Sequence, residues 1–121
     1  MSSFDEIIMS PITTHVLDVA KGQPAKGISV VLEYLAGSGW EEVARGVTNE
    51  DGRVTNLLPD TTALRAGTYR INFATGSYFH QCGVESFYPS VPVVFEIRDT
   101  AQHYHVPILL SPYGYSTYRG S

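Results

Sequence analysis

The chain is short of the groups that mark several functional classes. Its 121 residues contain one cysteine, Cys82, so no intrachain disulfide can form and no thiolate zinc site is available. No apolar run approaches the roughly 20 residues that a membrane span needs, and no membrane association is expected. Basic residues are few and scattered, 8 Lys and Arg against 12 Asp and Glu, for a net charge of −4. A nucleic-acid binder needs a positive stripe, and none is present. The opening "MSSFDEIIMSPITTH" has neither a basic start nor a long apolar stretch, so no secretory leader is expected. Cytoplasmic localisation is the resulting expectation.

What is present is 43% hydrophobic residues, enough for a packed core over residues 1–121 as one domain. Alternation of period two dominates. "GTYRINFAT" (67–75) puts Tyr69, Ile71 and Phe73 on one face and Thr68, Arg70 and Asn72 on the other. "VPVVFEIRD" (91–99) groups Val91, Val93, Phe95 and Ile97. "HYHVPILLS" (103–111) groups Tyr104, Val106, Ile108 and Leu110, with His103, His105, Pro107 and Leu109 opposite. "ISVVLEYLA" (28–36) is hydrophobic on both faces, which predicts burial on both. Segments 12–20, 39–47 and 113–119 also read as strands.

Turn signals such as "NEDGR" and "SPYG" separate these runs. Seven or eight short strands so spaced predict an all-β sandwich. No helical stretch is long enough for a parallel crossover, so antiparallel sheets are expected. "TGSYFHQCGVESFYPS" (75–90) is a poor strand. A short helix over 76–83 is predicted, capped by Thr75 or Ser77 and closed by Gly83.

The candidates for chemistry are histidines, arginines near turns, and a tyrosine cluster near the end. Imidazole titrates near neutral pH and can move protons; guanidinium stays charged and grips planar oxygens. His103 and His105 share a strand face, roughly 7 Å apart from the strand rise. They are equally consistent with a plain surface pair, and no third metal ligand stands out beside them. His15 lies with Thr13, Leu17 and Val19, a pattern that also fits a packed core or interface histidine. His80 reads as structural or surface. Arg53 follows the "NEDG" turn, where a solvated arginine is the bland reading. Arg119 lies near the terminal carboxylate, which suggests a local ion pair. The second face of the 103–111 strand and the three tyrosines of "YGYSTY" suggest cover by another subunit.

Three stretches, "SPITTHVLDVAKGQPAKGISVVLE", "TNEDGR" and "HYHVPILLSPYGYSTYRGS", together resemble the 5-hydroxyisourate hydrolases, the transthyretin-related proteins of purine degradation. The likeness spans nearly the whole chain, and the Tyr-Arg-Gly-Ser ending is its most specific part. Transthyretin, a hormone carrier, shares the fold and "LLSPY" but lacks these histidines and that ending. Gly114 stands where a serine is often seen. The resemblance implies a transthyretin-like sandwich of two four-stranded sheets with a short helix after the fifth strand. It implies a homotetramer, a dimer of dimers with active sites in a channel between the dimers. It assigns catalysis and substrate contact to His15, Arg53, His105 and Tyr118, with His103, Arg119, Gly120 and Ser121 completing the lining. No cofactor and no metal are implied.

The expected reaction opens the ring of 5-hydroxyisourate to 2-oxo-4-hydroxy-4-carboxy-5-ureidoimidazoline. Metal-free hydrolysis needs an activated water, a stabilised oxyanion and a proton for the leaving nitrogen. The rival expectations are a transthyretin-type carrier that binds a small ligand without turnover, a metal-dependent hydrolase using His103 and His105, and a purely structural sandwich.

Overall fold

A computed structural model describes residues 10–121. The strands are β1 (Ile12–Asp18), β2 (Gln23–Pro24), β3 (Ser29–Ala36), β4 (Gly39–Val47), β5 (Arg53–Val54), β6 (Gly67–Phe73), β7 (Val91–Ile97), β8 (Tyr104–Ser111) and β9 (Gly114–Thr117), with helix α1 (Thr75–Gln81) between β6 and β7. They form two sheets. One is ordered β2-β1-β8-β9, with β5 also on β1, and the other β4-β3-β6-β7. The first sheet has five strands rather than the expected four because two-residue pieces share one edge of β1. β2 pairs with Leu17 and Asp18, and β5 with Thr14 and His15.

The sheets pack face to face through the alternating rows. Tyr69, Ile71, Phe73, Val91, Val93 and Ile97 bury against Ile12, Val16, Tyr104, Val106, Ile108 and Leu110. Each fully buried side chain of this kind contributes about 1.5–3 kcal/mol. Val30 and Leu32 of β3 join this core, but Leu35 on the other face is exposed, so the expected burial of both faces of β3 does not occur. The outer face of β3 instead carries the Glu33–Arg70 ion pair, with Arg70 stacked on Trp40.

Antiparallel pairing holds everywhere but one place. β1 and β8 run parallel, Ile12 opposite Tyr104 through Asp18 opposite Leu110. The expectation failed because it asked for a helical crossover between neighbouring strands. Here the connection is nearly the whole chain, which passes through the second sheet before returning.

Helix α1 lies within a residue or two of its predicted span. Its N-cap is Ala74, with no side-chain cap, so neither Thr75 nor Ser77 plays that part. Tertiary contacts hold it instead: Tyr78 and Phe79 are buried, and the Tyr78 hydroxyl donates to Asp18 Oδ2 at 2.8 Å. Gly83, at φ 72°, closes the helix as predicted. His80 is exposed. No helix among the described residues is long and apolar enough to cross a membrane.

Candidate functional site

The outer face of the first sheet carries the histidines. Odd-numbered residues of β1 point away from the core, which half-buries Thr13, His15 and Leu17 there. The parallel register sets Thr13 opposite His105 and His15 opposite Pro107. On the other edge of β1, His15 is opposite Arg53. Residues far apart in sequence thus meet on three adjacent strands.

A tight turn aims Arg53. Asn49 Oδ1 accepts from the backbone N–H groups of Asp51 and Arg53 at 2.9 and 3.0 Å, and Gly52 N–H donates to Asn49 O at 2.9 Å. Gly52 has φ 74°, and a Cβ there would lie 2.4 Å from the Val16 carbonyl oxygen. Only glycine satisfies both demands, and Val16 N–H in turn donates to Gly52 O at 2.8 Å, tying the turn to β1. The Arg53 side chain is exposed, and no ion pair among the described residues includes it.

Thr13 joins the two later histidines. Its Oγ1 lies 3.1 Å from His103 Nε2 and 2.8 Å from His105 Nδ1. His103 and His105 therefore do share a face, and one hydroxyl holds both rings. All three site imidazoles titrate below their ordinary range. For His15 the main cause is burial, followed by the Arg53 charge, partly offset by the backbone and the negative charge of Asp51. For His105 it is burial, then Arg53, His103 and His15. For His103 it is burial, then Arg119. At neutral pH these rings are uncharged and hold lone pairs, as bases must.

The tail packs across this group. Gly120 N–H donates to His105 O at 2.9 Å, and a Cβ on Gly120 would stand 2.4 Å from His105 Cδ2. A side chain there would strike the imidazole. Arg119 is held beside the group: it donates to Gln102 Oε1 at 2.8 Å and stacks over the Tyr104 ring at 4.5 Å. The expected ion pair with the terminal carboxylate is not among the described ion pairs. Tyr118 is exposed and, with His105 and Arg119, lines a cleft of about 230 Å³ walled by Val93, Phe95 and Val106. Ser121 follows, exposed.

Of the predicted site residues, His15, Arg53, His103, His105 and Gly120 come together on the outer face of the first sheet. Tyr118 and Arg119 lie at its margin. Among the described residues no three His, Cys, Asp or Glu side chains group as a metal centre would need. Sequence reasoning missed Thr13. Its position two residues before His15 on one face was visible, but the register against His105 was not.

Residues 12–120 match the HIUase/Transthyretin family. The chain belongs to this family. It is 48% identical over 110 residues to the 5-hydroxyisourate hydrolase of Salmonella typhimurium, covering 91% of this chain and 80% of that protein. The solved 5-hydroxyisourate hydrolase of Klebsiella pneumoniae superposes with a TM-score of 0.79 at 38% identity, covering 91% and 98% of the two chains. Sea bream transthyretin, solved in complex with thyroxine, superposes with a TM-score of 0.86 at 32% identity, covering 92% and 95%. Backbone shape leans toward the transthyretin and residue identity toward the hydrolases. Shape is common to the family, so the side chains of the site must decide function.

Proposed function

We propose that the protein hydrolyses 5-hydroxyisourate, opening its ring to 2-oxo-4-hydroxy-4-carboxy-5-ureidoimidazoline. One observation carries the reading: neutral imidazoles of His15 and His105 share a sheet face with a guanidinium that pairs with no carboxylate among the described residues. A carrier of an apolar ligand has no need of such a group, whereas ring-amide hydrolysis needs each member. The hydrolase names of the relatives agree.

In this mechanism His105, with His15 beside it, takes a proton from water as the water oxygen bonds to the ring carbonyl carbon. Arg53 faces the developing oxyanion and holds the ring oxygens in a two-pronged grip. The carbon–nitrogen bond then breaks, and the proton held on imidazole passes to the leaving nitrogen. Tyr118, Arg119 and Ser121 close the site from the tail. No cofactor takes part.

The same reading makes the working unit a homotetramer, a dimer of dimers. The edges of β7 and β9, unpaired among the described residues, flank the cleft under Tyr118, and Phe87 is 68% exposed. Unpaired strand edges and a bare aromatic ring suit a second copy of the chain. The histidine face then lies where two dimers meet. A cytoplasmic setting fits a chain whose single cysteine, Cys82, is unpaired.

The test is ultraviolet absorbance. 5-Hydroxyisourate made from urate by uricase decays unaided, and the protein should speed that decay in proportion to its concentration. Binding without faster decay would favour the carrier.

A further inference from the structure

Thr13 has one hydroxyl proton and two imidazoles to share it with. Its oxygen meets His103 Nε2 and His105 Nδ1, both within hydrogen-bond distance. A hydroxyl donates once and accepts through two lone pairs. Both rings therefore cannot receive from it, and at least one must present an N–H. The tautomers of His103 and His105 are coupled through this single atom.

The hydrolase reading chooses the direction. Nδ1 of His105 is the nitrogen at Thr13, so Nε2 is the one left to face water, and a base there needs the ring hydrogen on Nδ1. The Thr13 oxygen then accepts from His105, which leaves its own proton for His103 Nε2 at 3.1 Å. The chain then runs one way: His105 Nδ1–H donates to Thr13 Oγ1, and the Thr13 hydroxyl donates to His103 Nε2.

Resting on the hydrolase reading, we infer that Thr13 is a positioning residue that fixes the tautomer of His105, leaving Nε2 as the nitrogen that takes the proton from water. His103 acts through Thr13 and not on the substrate. When Nε2 is protonated, the Nδ1–H bond to Thr13 gains charge assistance and steadies the imidazolium. The direction of the chain requires His103 to stay neutral. Its burial and the nearby Arg119 charge both favour that state. Gly120 lies against the Cδ2 edge of the His105 ring, where a side chain would push the ring from its place at Thr13.

Two measurements on the full-length protein test this. Two-bond proton–nitrogen correlation spectra of 15N-histidine-labelled wild type report each tautomer directly. We expect Nδ1–H for both His103 and His105 at pH 7.5. A His105 signal of the Nε2–H form would overturn the inference. Thr13→Val keeps the shape and removes the hydroxyl. Its His105 pattern should become mixed, with kcat lowered about 10–100-fold and KM nearly unchanged, and Thr13→Ser should restore both. Wild-type kcat and an unchanged spectrum in Thr13→Val would overturn it as well. Wild type lacking turnover but showing the expected tautomers would defeat the hydrolase reading while the spectrum upholds the Thr13 relay.

Discussion

The two outer faces of the sandwich differ in how they treat charge. On the second sheet each ion finds a partner nearby. Glu33 Oε1 accepts from Arg70 Nε at 2.7 Å and Asn72 Nδ2 at 3.1 Å, and Arg70 stacks on Trp40 at 4.2 Å. Arg45 pairs with Glu42 beside them. On the first sheet Arg53 has no carboxylate partner among the described residues, and the imidazoles of His15, His103 and His105 titrate below their ordinary range, the first and last of them partly through the Arg53 charge. The first pattern is self-contained and structural. The second leaves a positive charge and several lone pairs open to something from outside, as a reactive surface must.

The largest break in that comparison comes from the histidines. His105→Ala should lower kcat about 10²–10⁴-fold, with an unchanged circular-dichroism spectrum, while Glu33→Gln on the opposite face should leave turnover as it was. Arg53→Gln should lower kcat by about 10²–10³-fold if it steadies an oxyanion. It should also move the acid limb of the pH–rate profile upward, because the Arg53 charge depresses both His15 and His105. An unmoved limb would show that the guanidinium does not act on these rings. Gly120→Ala would thrust a methyl toward the His105 ring and should reduce kcat by up to about 10²-fold through misplacement. Full activity in that variant would separate the tail from the histidine.

Arg70→Gln should cost about 1 kcal/mol of stability, read from a urea midpoint, and nothing in turnover. The smallest effect is in stability against pH. The site histidines titrate lower in the fold than in the unfolded chain, so the unfolded state takes up protons first as pH falls. Stability should be level above about pH 6.5 and decline below it, toward the lowered native values. A stability that rises from pH 6.5 to 5.5 would contradict the depressed imidazoles.

Much of the architecture was legible because it is local. The rows Tyr69–Ile71–Phe73 and Tyr104–Val106–Ile108–Leu110 alternate with the strand pleat, and the core takes the same rows. Asn49, Gly52 and Gly83 declare their turns by residue type. What was illegible depends on contacts distant in sequence. Parallel β1 and β8 are joined through the rest of the chain, so no local crossover announced them. Val31 and Leu35 looked like buried residues of β3, but their face carries the Glu33–Arg70 ion pair and leaves Leu35 exposed. Arg119 beside the terminal carboxylate suggested an ion pair, but Gln102 and the Tyr104 ring hold it. Likewise His15, Arg53 and His105 were separate candidates in the residues themselves. The family resemblance grouped them, and the register of β1 against β5 and β8 is the physical reason they meet. Thr13 had no signal of its own, since a threonine in a strand is ordinary.

The central claim is that His15 and His105 work on one reacting centre. A double-mutant cycle on kcat, followed by the decay of 5-hydroxyisourate absorbance, tests it most directly. If they act as one unit, His15→Ala/His105→Ala should lose little more than the worse of the two single variants. Single losses that simply multiply, or single variants that keep full turnover, would contradict the account.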